Sequence, residues 1–279
     1  TEFLWDSGAN ADYGVNVTRA AATAGAGPYE IDNVKLDSKT VYTNKIFGTA
    51  YRGFGHLEIL WAVERQMELV AEELGIDPYE FRMKNALRRG SVTITGEHIG
   101  ESHGKVTECL EAVADEIDYE NRGSDDLPEG KKRGKGLALL HKAPAMPTNT
   151  GTAAFLKFNE NGTLNLTLSL VDYGQGTYTA LAQIVSDQLD IPVDKVNVVW
   201  EQNTETQPYD WQTVASKGLF MSGNATIKAC EDMAQQLKEV AAQPLRASVE
   251  DLIIEDEKVK IRHHKDQYIT FKELAMGYT

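Results

Sequence analysis

The chain has 279 residues, of which 42% are hydrophobic and 25% are charged, with a net charge of −14 at pH 7. This length and composition predict one large or two ordinary domains with packed cores, and they exclude a globally disordered chain. The acidic balance argues against a nucleic-acid-binding surface, and no apolar run approaches the ~18 residues that a membrane span needs.

The first half of the chain alternates between strand and helix patterns and leads to a charged linker. Gly75 ends the longest helix of this half, and Asp77 followed by Pro78 is typical of the start of the next one. The predicted elements are a strand and loop at 1–14, a strand or short helix at 15–24, strands at 29–31 and 40–47, and helices at 56–74, 78–88 and 105–118.

Residues 119–135 are charged and contain the Asn, Gly, Ser, Asp and Pro residues that are typical of a linker. We therefore predict two α+β subdomains, residues 1–125 and residues 134–279. In the second, Asn161-Gly162 and Glu257 mark two hairpin turns. Its predicted elements are strands at 136–142, 152–158 and 163–170, a helix at 178–189, a strand at 195–200, a long helix ending near 242, and strands at 251–255 and 258–262.

The two cysteines, Cys109 and Cys230, lie far apart in sequence, and each falls within a helical pattern. Such a pair supplies no disulfide framework, zinc site or iron–sulfur ligand set. The helix around Cys109 is expected to place this residue on one apolar face with Val106, Leu110 and Val113. We therefore predict two buried free thiols in a reducing, cytoplasmic compartment.

The stretch Arg52-Gly53-Phe54-Gly55 lies directly before the longest helix of the first half. A glycine-flanked turn at a helix start can place backbone N–H groups and an arginine beside an anion, and can hold an aromatic ring over a substrate. The alternative is a tight turn in which Arg52 forms a surface ion pair and Phe54 packs as a hydrophobic staple.

Two similar helix starts occur in the second half of the chain. Gly174-Gln175-Gly176 joins a strand to a helix, and the Gln175 amide offers donors and an acceptor, although a ligand-free turn is the alternative. Thr213, Val214, Ala215 and Ser216 precede the long helix, where hydroxyls and free N–H groups can bind an anion. Ordinary N-capping by Thr213 is the alternative there. Three such helix starts in one chain favour a large ligand with many polar groups, such as a cofactor.

Hydrolase and metal signatures are missing from the sequence, which has neither G-x-S-x-G nor H-E-x-x-H. His98 and His103 flank a glycine-rich loop without a matching carboxylate or cysteine set, and His263-His264 is predicted to be a solvated pair. The acidic residues of the longest first-half helix are expected to be ion-paired or solvated. Glu64 is the exception, because it shares a helix face with apolar residues.

Several motifs occur together and in a fixed order: AYRGFG before a helix, LGIDPYEFRMKN, DYGQG, TVAS and SGNA. In these motifs and their spacing the chain resembles, over roughly residues 5–240, the large, molybdenum-binding subunit of the xanthine dehydrogenase/aldehyde oxidoreductase family. The resemblance implies hydroxylation of purines, other N-heterocycles or aldehydes with water-derived oxygen. It also implies a molybdenum ion on a pterin dithiolene cofactor, with iron–sulfur clusters and often FAD on other domains or subunits.

The resemblance also assigns roles to particular residues. It places Arg52, Gly53 and Phe54 near the molybdenum ligands and pterin, with Phe54 stacking on aromatic substrates. Arg19 would correspond to a substrate-orienting arginine after a one-residue shift of the alignment, and residues 143–150 would fall among other pocket residues without matching them. The remaining cofactor contacts that the resemblance implies are Gly174, Gln175 and Gly176 on one side, and Thr213, Val214, Ala215 and Ser216 around the pterin or phosphate.

The chain departs from the family pattern in three places. His56-Leu57-Glu58 stands where the family has a small residue followed by Pro-Gln, which leaves the substrate open. The Gly-x-Gly-Glu segment that carries the catalytic base and the upstream Gly-Gly-Phe-Gly loop do not occur in these residues. Both chain ends are expected to be cuts through a longer protein, so we predict a piece of the enzyme that is inactive and empty, or nearly empty, of cofactor. The alternative is a non-catalytic binding or assembly module that contacts the electron-transfer subunit.

Overall fold

The computed structural model describes residues 1–9, 13–123, 127–142 and 150–276 of the chain. The chain divides into two compact units, Thr1–Ala143 and Pro144–Thr279, and each contains both helices and strands. This confirms the predicted α+β class. The division lies further along the chain than the boundary predicted between 125 and 134, because Leu137 and Leu139 pack in a core cluster of the first unit.

Within its described residues, the first unit contains one pair of strands and four helices. Its strands are parallel, with Glu2 opposite Asp37. The strand predicted at 40–47 begins earlier than expected and ends at Val41, and the strand predicted at 29–31 is reduced to a single bridge between Tyr29 and Ala86. The elements are β1 (Glu2–Asp6), α1 (Gly14–Thr23), β2 (Asp37–Val41), α2 (His56–Leu74), α3 (Pro78–Asn85) and α4 (Val106–Glu116).

Local signals fix the C-terminal end of α2 and the start of α3 where the sequence predicts them, whereas α3 ends at Asn85 instead of near residue 88. Gly75 has a left-handed φ of 64°, and its N–H donates to the Glu72 carbonyl, which closes α2. The Asp77 carboxylate accepts a hydrogen bond of 2.8 Å from the Tyr79 N–H at the start of α3, and Pro78 occupies the first helical position.

The core of the first unit is built around residues from several helices and loops. Cys109 is exposed rather than buried, and Val113 is half exposed, because α4 turns Leu110 and Ala114 inward instead. The prediction of a buried Cys109 is therefore wrong. The main buried cluster consists of Tyr29, Ala86, Leu110, Ala114, Tyr119, Leu137 and Leu139.

The part of the second unit that the structure describes contains two three-stranded sheets. In the first sheet β4 lies between antiparallel β3 and parallel β5, and in the second β7 lies between antiparallel β6 and β8. The elements are β3 (Ala154–Phe158), β4 (Leu164–Leu168), α5 (Thr177–Leu189), β5 (Val196–Val199), α6 (Lys217–Leu245), β6 (Leu252–Glu255), β7 (Lys258–Ile261), β8 (His264–Thr270) and α7 (Phe271–Ala275).

The core of the second unit follows from alternation in β4, where Leu164, Leu166 and Leu168 are fully buried. These leucines pack with residues of α5 and α6, including Cys230, whose predicted burial is confirmed. Burial raises the pKa of the Cys230 thiol to about 12, so the thiol stays protonated and inert. Among the described residues, no helix is both long and apolar enough to cross a lipid bilayer.

Two further segments differ from the predicted strands. The segment 136–142, predicted as a strand, has no strand assignment. In contrast, β8 was not predicted, because its sequence, His-Lys-Asp-Gln-Tyr-Ile-Thr, is mostly polar. It forms as the exposed edge of a sheet, where only Ile269 is buried.

Candidate functional site

The loop before α2 has an unusual backbone. Gly53, Phe54 and Gly55 all lie in the left-handed region, with φ angles of 112°, 49° and 85°. A non-glycine residue pays a steric penalty there, so Phe54 is held by its surroundings and not by its own preference. A hydrogen bond of 2.7 Å from the Phe54 N–H to the Tyr51 carbonyl tightens the loop.

The loop is pinned against α1. A side chain on Gly55 would place its Cβ 2.2 Å from the Val17 carbonyl oxygen and 2.9 Å from the Ala21 nitrogen. Only glycine permits this approach. Just before α1, Tyr13 meets the Phe54 ring at a centroid distance of 6.0 Å and an interplanar angle of 68°. Phe54 is therefore half-buried beside a second aromatic ring.

Two arginines predicted at the site are exposed. Arg52 has no hydrogen bond or ion pair within the described part of the chain. Arg19 lies on α1 and is also exposed. Both guanidinium groups can therefore meet an anionic or polar ligand.

His56, which departs from the family pattern, is buried at the first position of α2. Its Nδ1 lies 3.4 Å from the Phe54 carbonyl oxygen. Burial, followed by the charge of Lys142, holds the pKa of His56 below its usual value. The imidazole is therefore neutral at pH 7, and its Nδ1 lies next to the backbone carbonyl of Phe54.

Glu64, singled out for its place on an apolar face, is a structural residue. Its carboxylate accepts hydrogen bonds from the Tyr29 hydroxyl and from the Arg82 Nε, the latter at 2.9 Å. Arg82 also contacts Glu68 at 3.0 Å. This buried ion pair ties α2 to α3, and burial followed by the Glu64 hydrogen bond raises the pKa of Tyr29.

In the second unit, the glycine-rich turn before α5 already carries an internal anion. The Asp172 carboxylate accepts hydrogen bonds from the N–H groups of Gly174 at 2.8 Å, Gly176 at 3.3 Å and Tyr178 at 3.0 Å. Asp172 was not among the predicted site residues, although an Asp two residues before a Gly is typical of such a turn. The amides at the start of α5 are therefore satisfied within the protein.

Gln175 is exposed, and its side chain folds back on the same turn. Its Oε1 accepts from the Tyr173 N–H at 2.9 Å, and its Nε2 donates to the Val171 carbonyl at 2.9 Å. A primary amide has a second hydrogen and a second lone pair, so each end can still bond to a ligand.

The turn before α5 and the segment before α6 meet in the structure. Thr213 Oγ1 accepts a hydrogen bond of 2.8 Å from the Val171 N–H, and the Thr213 carbonyl accepts one of 2.9 Å from the Tyr173 hydroxyl. Thr213 therefore does not cap α6, because its hydroxyl is used to join the two segments. The motifs around Gln175 and Thr213 form one continuous surface of the second unit.

The start of α6 has the geometry of an anion site. Ala215 is left-handed at φ 44°, and Ser216 follows with φ −64° and ψ −20°. Such a pair points successive N–H groups into one concavity, here at the N-terminus of a 29-residue helix. Within the described residues, the N–H groups of Val214, Ala215, Ser216 and Lys217 have no acceptor.

A buried ion pair closes the loop that carries these amides. Lys217 Nζ lies 2.8 Å from Asp210 Oδ1 and donates to the Gln212 carbonyl at 2.9 Å. Both side chains are only 2% exposed. Because Asp210 and Lys217 flank residues 211–216, the pair holds the two ends of the loop together.

Other predicted residues do not form a site. His103 Nε2 lies 3.1 Å from Glu97 Oε1 on the surface, and the described residues contain no group of three or more possible metal ligands. His263 and His264 are exposed, as predicted. The predicted pocket loop 143–150 lies outside the described residues except for its last member.

Comparison with family models identifies the protein family to which the chain belongs. Residues 112–279 match the family model described as a molybdopterin cofactor-binding domain, and residues 1–86 match a second model with the same description. The chain belongs to the molybdopterin cofactor-binding domain family. The resemblance inferred from the motifs is thereby confirmed. The amides at the start of α6, which have no acceptor among the described residues, fit the anionic cofactor for which the family is named.

Named relatives extend well beyond this chain. The xanthine dehydrogenase molybdenum-binding subunit of Escherichia coli O157:H7 is 29% identical over 281 residues, which cover 99% of this chain and 37% of the relative. The nicotine 6-hydroxylase large subunit of Paenarthrobacter nicotinovorans is 26% identical over 271 residues, covering 92% and 33% of the two chains. The chain thus spans about a third of the length of these relatives.

A solved structure shares the fold. The crystal structure of the aldehyde oxidoreductase from Desulfovibrio desulfuricans ATCC 27774 is 25% identical, with a TM-score of 0.70 over 87% of this chain and 26% of that chain.

Proposed function

We propose that the chain forms part of the molybdenum–pterin site of a molybdenum hydroxylase, an oxidoreductase that acts on purines, other N-heterocycles or aldehydes with water-derived oxygen. The observation that carries this proposal is the start of α6, where four successive amides have no acceptor among the described residues. A helix N-terminus with free N–H groups stabilises a bound anion, such as the phosphate of the pterin.

Individual residues take defined roles in this proposal. The amides from Val214 to Lys217 donate to the phosphate or pterin, and Gln175 supplies one further donor and acceptor from the adjoining turn. Arg52 pairs with an anionic group through its free guanidinium. When bound, the cofactor supplies the two-electron oxidation–reduction chemistry.

In this proposal, residues of the first unit bind the substrate. Phe54 offers an aromatic ring on which a flat heterocycle can stack, while Arg19 bonds to a polar substituent. Stacking on a ring strengthens the binding of aromatic substrates more than that of small aliphatic aldehydes. We therefore favour purines and other N-heterocycles over aldehydes as substrates.

Several functions must come from outside these 279 residues. A general base is needed to activate the oxygen nucleophile, and the Gly-x-Gly-Glu segment that carries it in the family is not in this sequence. We propose that the isolated chain is inactive, and that iron–sulfur and FAD domains or subunits accept the electrons. Two free cysteines are consistent with a protein that functions in the reducing cytoplasm.

The missing base also supports a second candidate, in which the chain is a non-catalytic module that contacts an electron-transfer subunit. Molybdenum content and turnover of the protein expressed from its complete reading frame distinguish the two. We expect stoichiometric molybdenum and oxidation of at least one member of a purine, pyridine, quinoline and aldehyde panel. Absence of both molybdenum and turnover would favour the binding module.

A further inference from the structure

Residues 136–142, Gly-Leu-Ala-Leu-Leu-His-Lys, have the side-chain pattern of a β-strand without belonging to a sheet. Leu137 and Leu139 are buried, whereas Ala138 and Leu140 are exposed. This alternation with a period of two residues is what a strand on the surface of a core produces. The sequence predicts a strand here for the same reason.

The backbone of this segment lacks the hydrogen bonds that the side-chain pattern leads one to expect. No N–H or C=O group from residue 136 to residue 142 is hydrogen-bonded to another described residue. Backbone polar groups beside a packed core are almost always paired, because each unpaired group loses its bonds to water on burial. Such a run of free groups is a template for another strand.

Apolar surface lies beside the unpaired backbone. A groove of about 520 Å³ runs between this segment and α2. Its rim includes Leu57, Trp61 and Leu140, which are 47%, 76% and 62% exposed. A single large apolar residue on a surface is ordinary, but three around one groove are typical of a docking surface.

We propose that residues 136–142 pair with an extended segment that belongs to the longer polypeptide and lies outside these 279 residues. Main-chain hydrogen bonds would supply the affinity, and alternate apolar side chains of the incoming strand would cover the groove beside Trp61. The relatives described above continue for about twice the matched length, which provides ample chain for such a strand. A second copy is disfavoured, because two chains of net charge −14 repel each other.

Hydrogen–deuterium exchange tests this pairing independently of cofactor and activity. Amides of residues 137–142 should exchange rapidly in the 279-residue chain and at least about tenfold more slowly in the protein from the complete reading frame. Strand β4, buried and paired in this chain, is the internal reference and should be protected in both. Equal exchange of residues 137–142 in the two proteins would overturn the proposal. Protection in the isolated chain that disappears on dilution would instead assign the surface to a second copy.

A pair of variants gives a second readout. Leu140→Lys places a charge on the proposed interface, and Val113→Lys places one on a similarly exposed position of α4. In the 279-residue chain, neither should change the melting temperature appreciably. In the longer protein, Leu140→Lys should restore rapid exchange at residues 137–142 and lower the melting temperature, whereas Val113→Lys should do neither. Unchanged exchange in longer Leu140→Lys protein would count against the pairing.

Discussion

Phe54 combines a strained backbone with a ring that is only half-buried, next to Tyr13. In the full-length enzyme, Phe54→Ala should lower kcat/KM for aromatic heterocycles by about tenfold more than for small aliphatic aldehydes, because only the former stack. Steady-state kinetics on both substrate classes measures this difference. Phe47→Ala, at another exposed phenylalanine of the first unit, is the control and should not discriminate. Equal losses on both classes would contradict a stacking role.

Comparing alanine substitutions at Gly55 and Gly75 distinguishes the cost of a steric clash from the cost of backbone strain. Both have positive φ, but a Cβ on Gly75 meets no atom within 4 Å, whereas one on Gly55 collides with backbone atoms of α1. Gly75→Ala should therefore lower the free energy of unfolding by about 1 kcal/mol, the cost of a left-handed alanine. Gly55→Ala should cost more than about twice as much, since α1 must also move.

Urea denaturation of the two variants measures both costs. A similar small loss for both would mean that the loop before α2 is not pinned against α1.

At the scale of elements, the buried Asp210–Lys217 pair joins the two ends of the loop before α6. Lys217→Met leaves a buried carboxylate without its partner and should cost about 3–5 kcal/mol in free energy of unfolding. The double variant Asp210→Leu/Lys217→Met removes both charges and should recover most of that loss. Lys39→Met, in the exposed pair with Glu2, is the matched control and should cost less than about 1 kcal/mol.

Equilibrium unfolding of the four proteins tests this coupling. A double variant as unstable as Lys217→Met alone would show that shape, and not charge, supports the loop.

The turn before α5 should make stability depend on pH. Hydrogen bonds from backbone N–H groups, above all that of Tyr178, hold the pKa of the Asp172 carboxyl below its usual value. Because the folded-state pKa is lowered, this stabilisation is present above the unfolded pKa of about 3.9 and is lost as the pH falls through the folded value.

Asp172→Asn removes this titration. The variant should be less stable than the parent at pH 7, and the difference should shrink below about pH 4 as Asp172 becomes protonated. Denaturation at several pH values measures the gap. A gap that stays constant down to pH 2 would mean that the charge of Asp172 does not stabilise the turn.

For the molecule as a whole, sequence reasoning succeeded where local signals decide the structure. Gly75, Asp77 and Pro78 fix helix ends through bonds to near neighbours, and the leucines of β4 alternate as a buried strand requires. It failed where distant partners decide. Residues 136–142 carry a strand pattern without a partner, and Cys109 faces outward because the core selects Leu110 and Ala114.

The candidate site divides in the same way. The motifs around Gln175 and Thr213 were predicted, but their joining through Thr213 depends on contacts 42 and 40 residues apart in sequence. The roles of Asp172 and Lys217 were not predicted. Each role depends on which groups the side chain contacts in the fold, and the sequence does not give those contacts. The sequence thus picks out the candidate segments, but not the contacts that shape them.

The central claim is that the amides at the start of α6 hold the anionic cofactor. A negative charge introduced at that point tests the claim most directly. Ser216 is exposed and makes no side-chain cap, so Ser216→Asp should preserve the fold, since Asp is favoured before a helix. Its carboxylate would repel a bound phosphate. Thr107→Asp, in the first turn of α4, is the matched control.

The measurement is the molybdenum and pterin content of the purified full-length proteins. We predict a stoichiometric content in the parent and in Thr107→Asp, and at least about a tenfold lower content in folded Ser216→Asp, because repulsion replaces a helix-terminus anion bond. Undiminished molybdenum and pterin in Ser216→Asp, or none in the parent, would contradict the account.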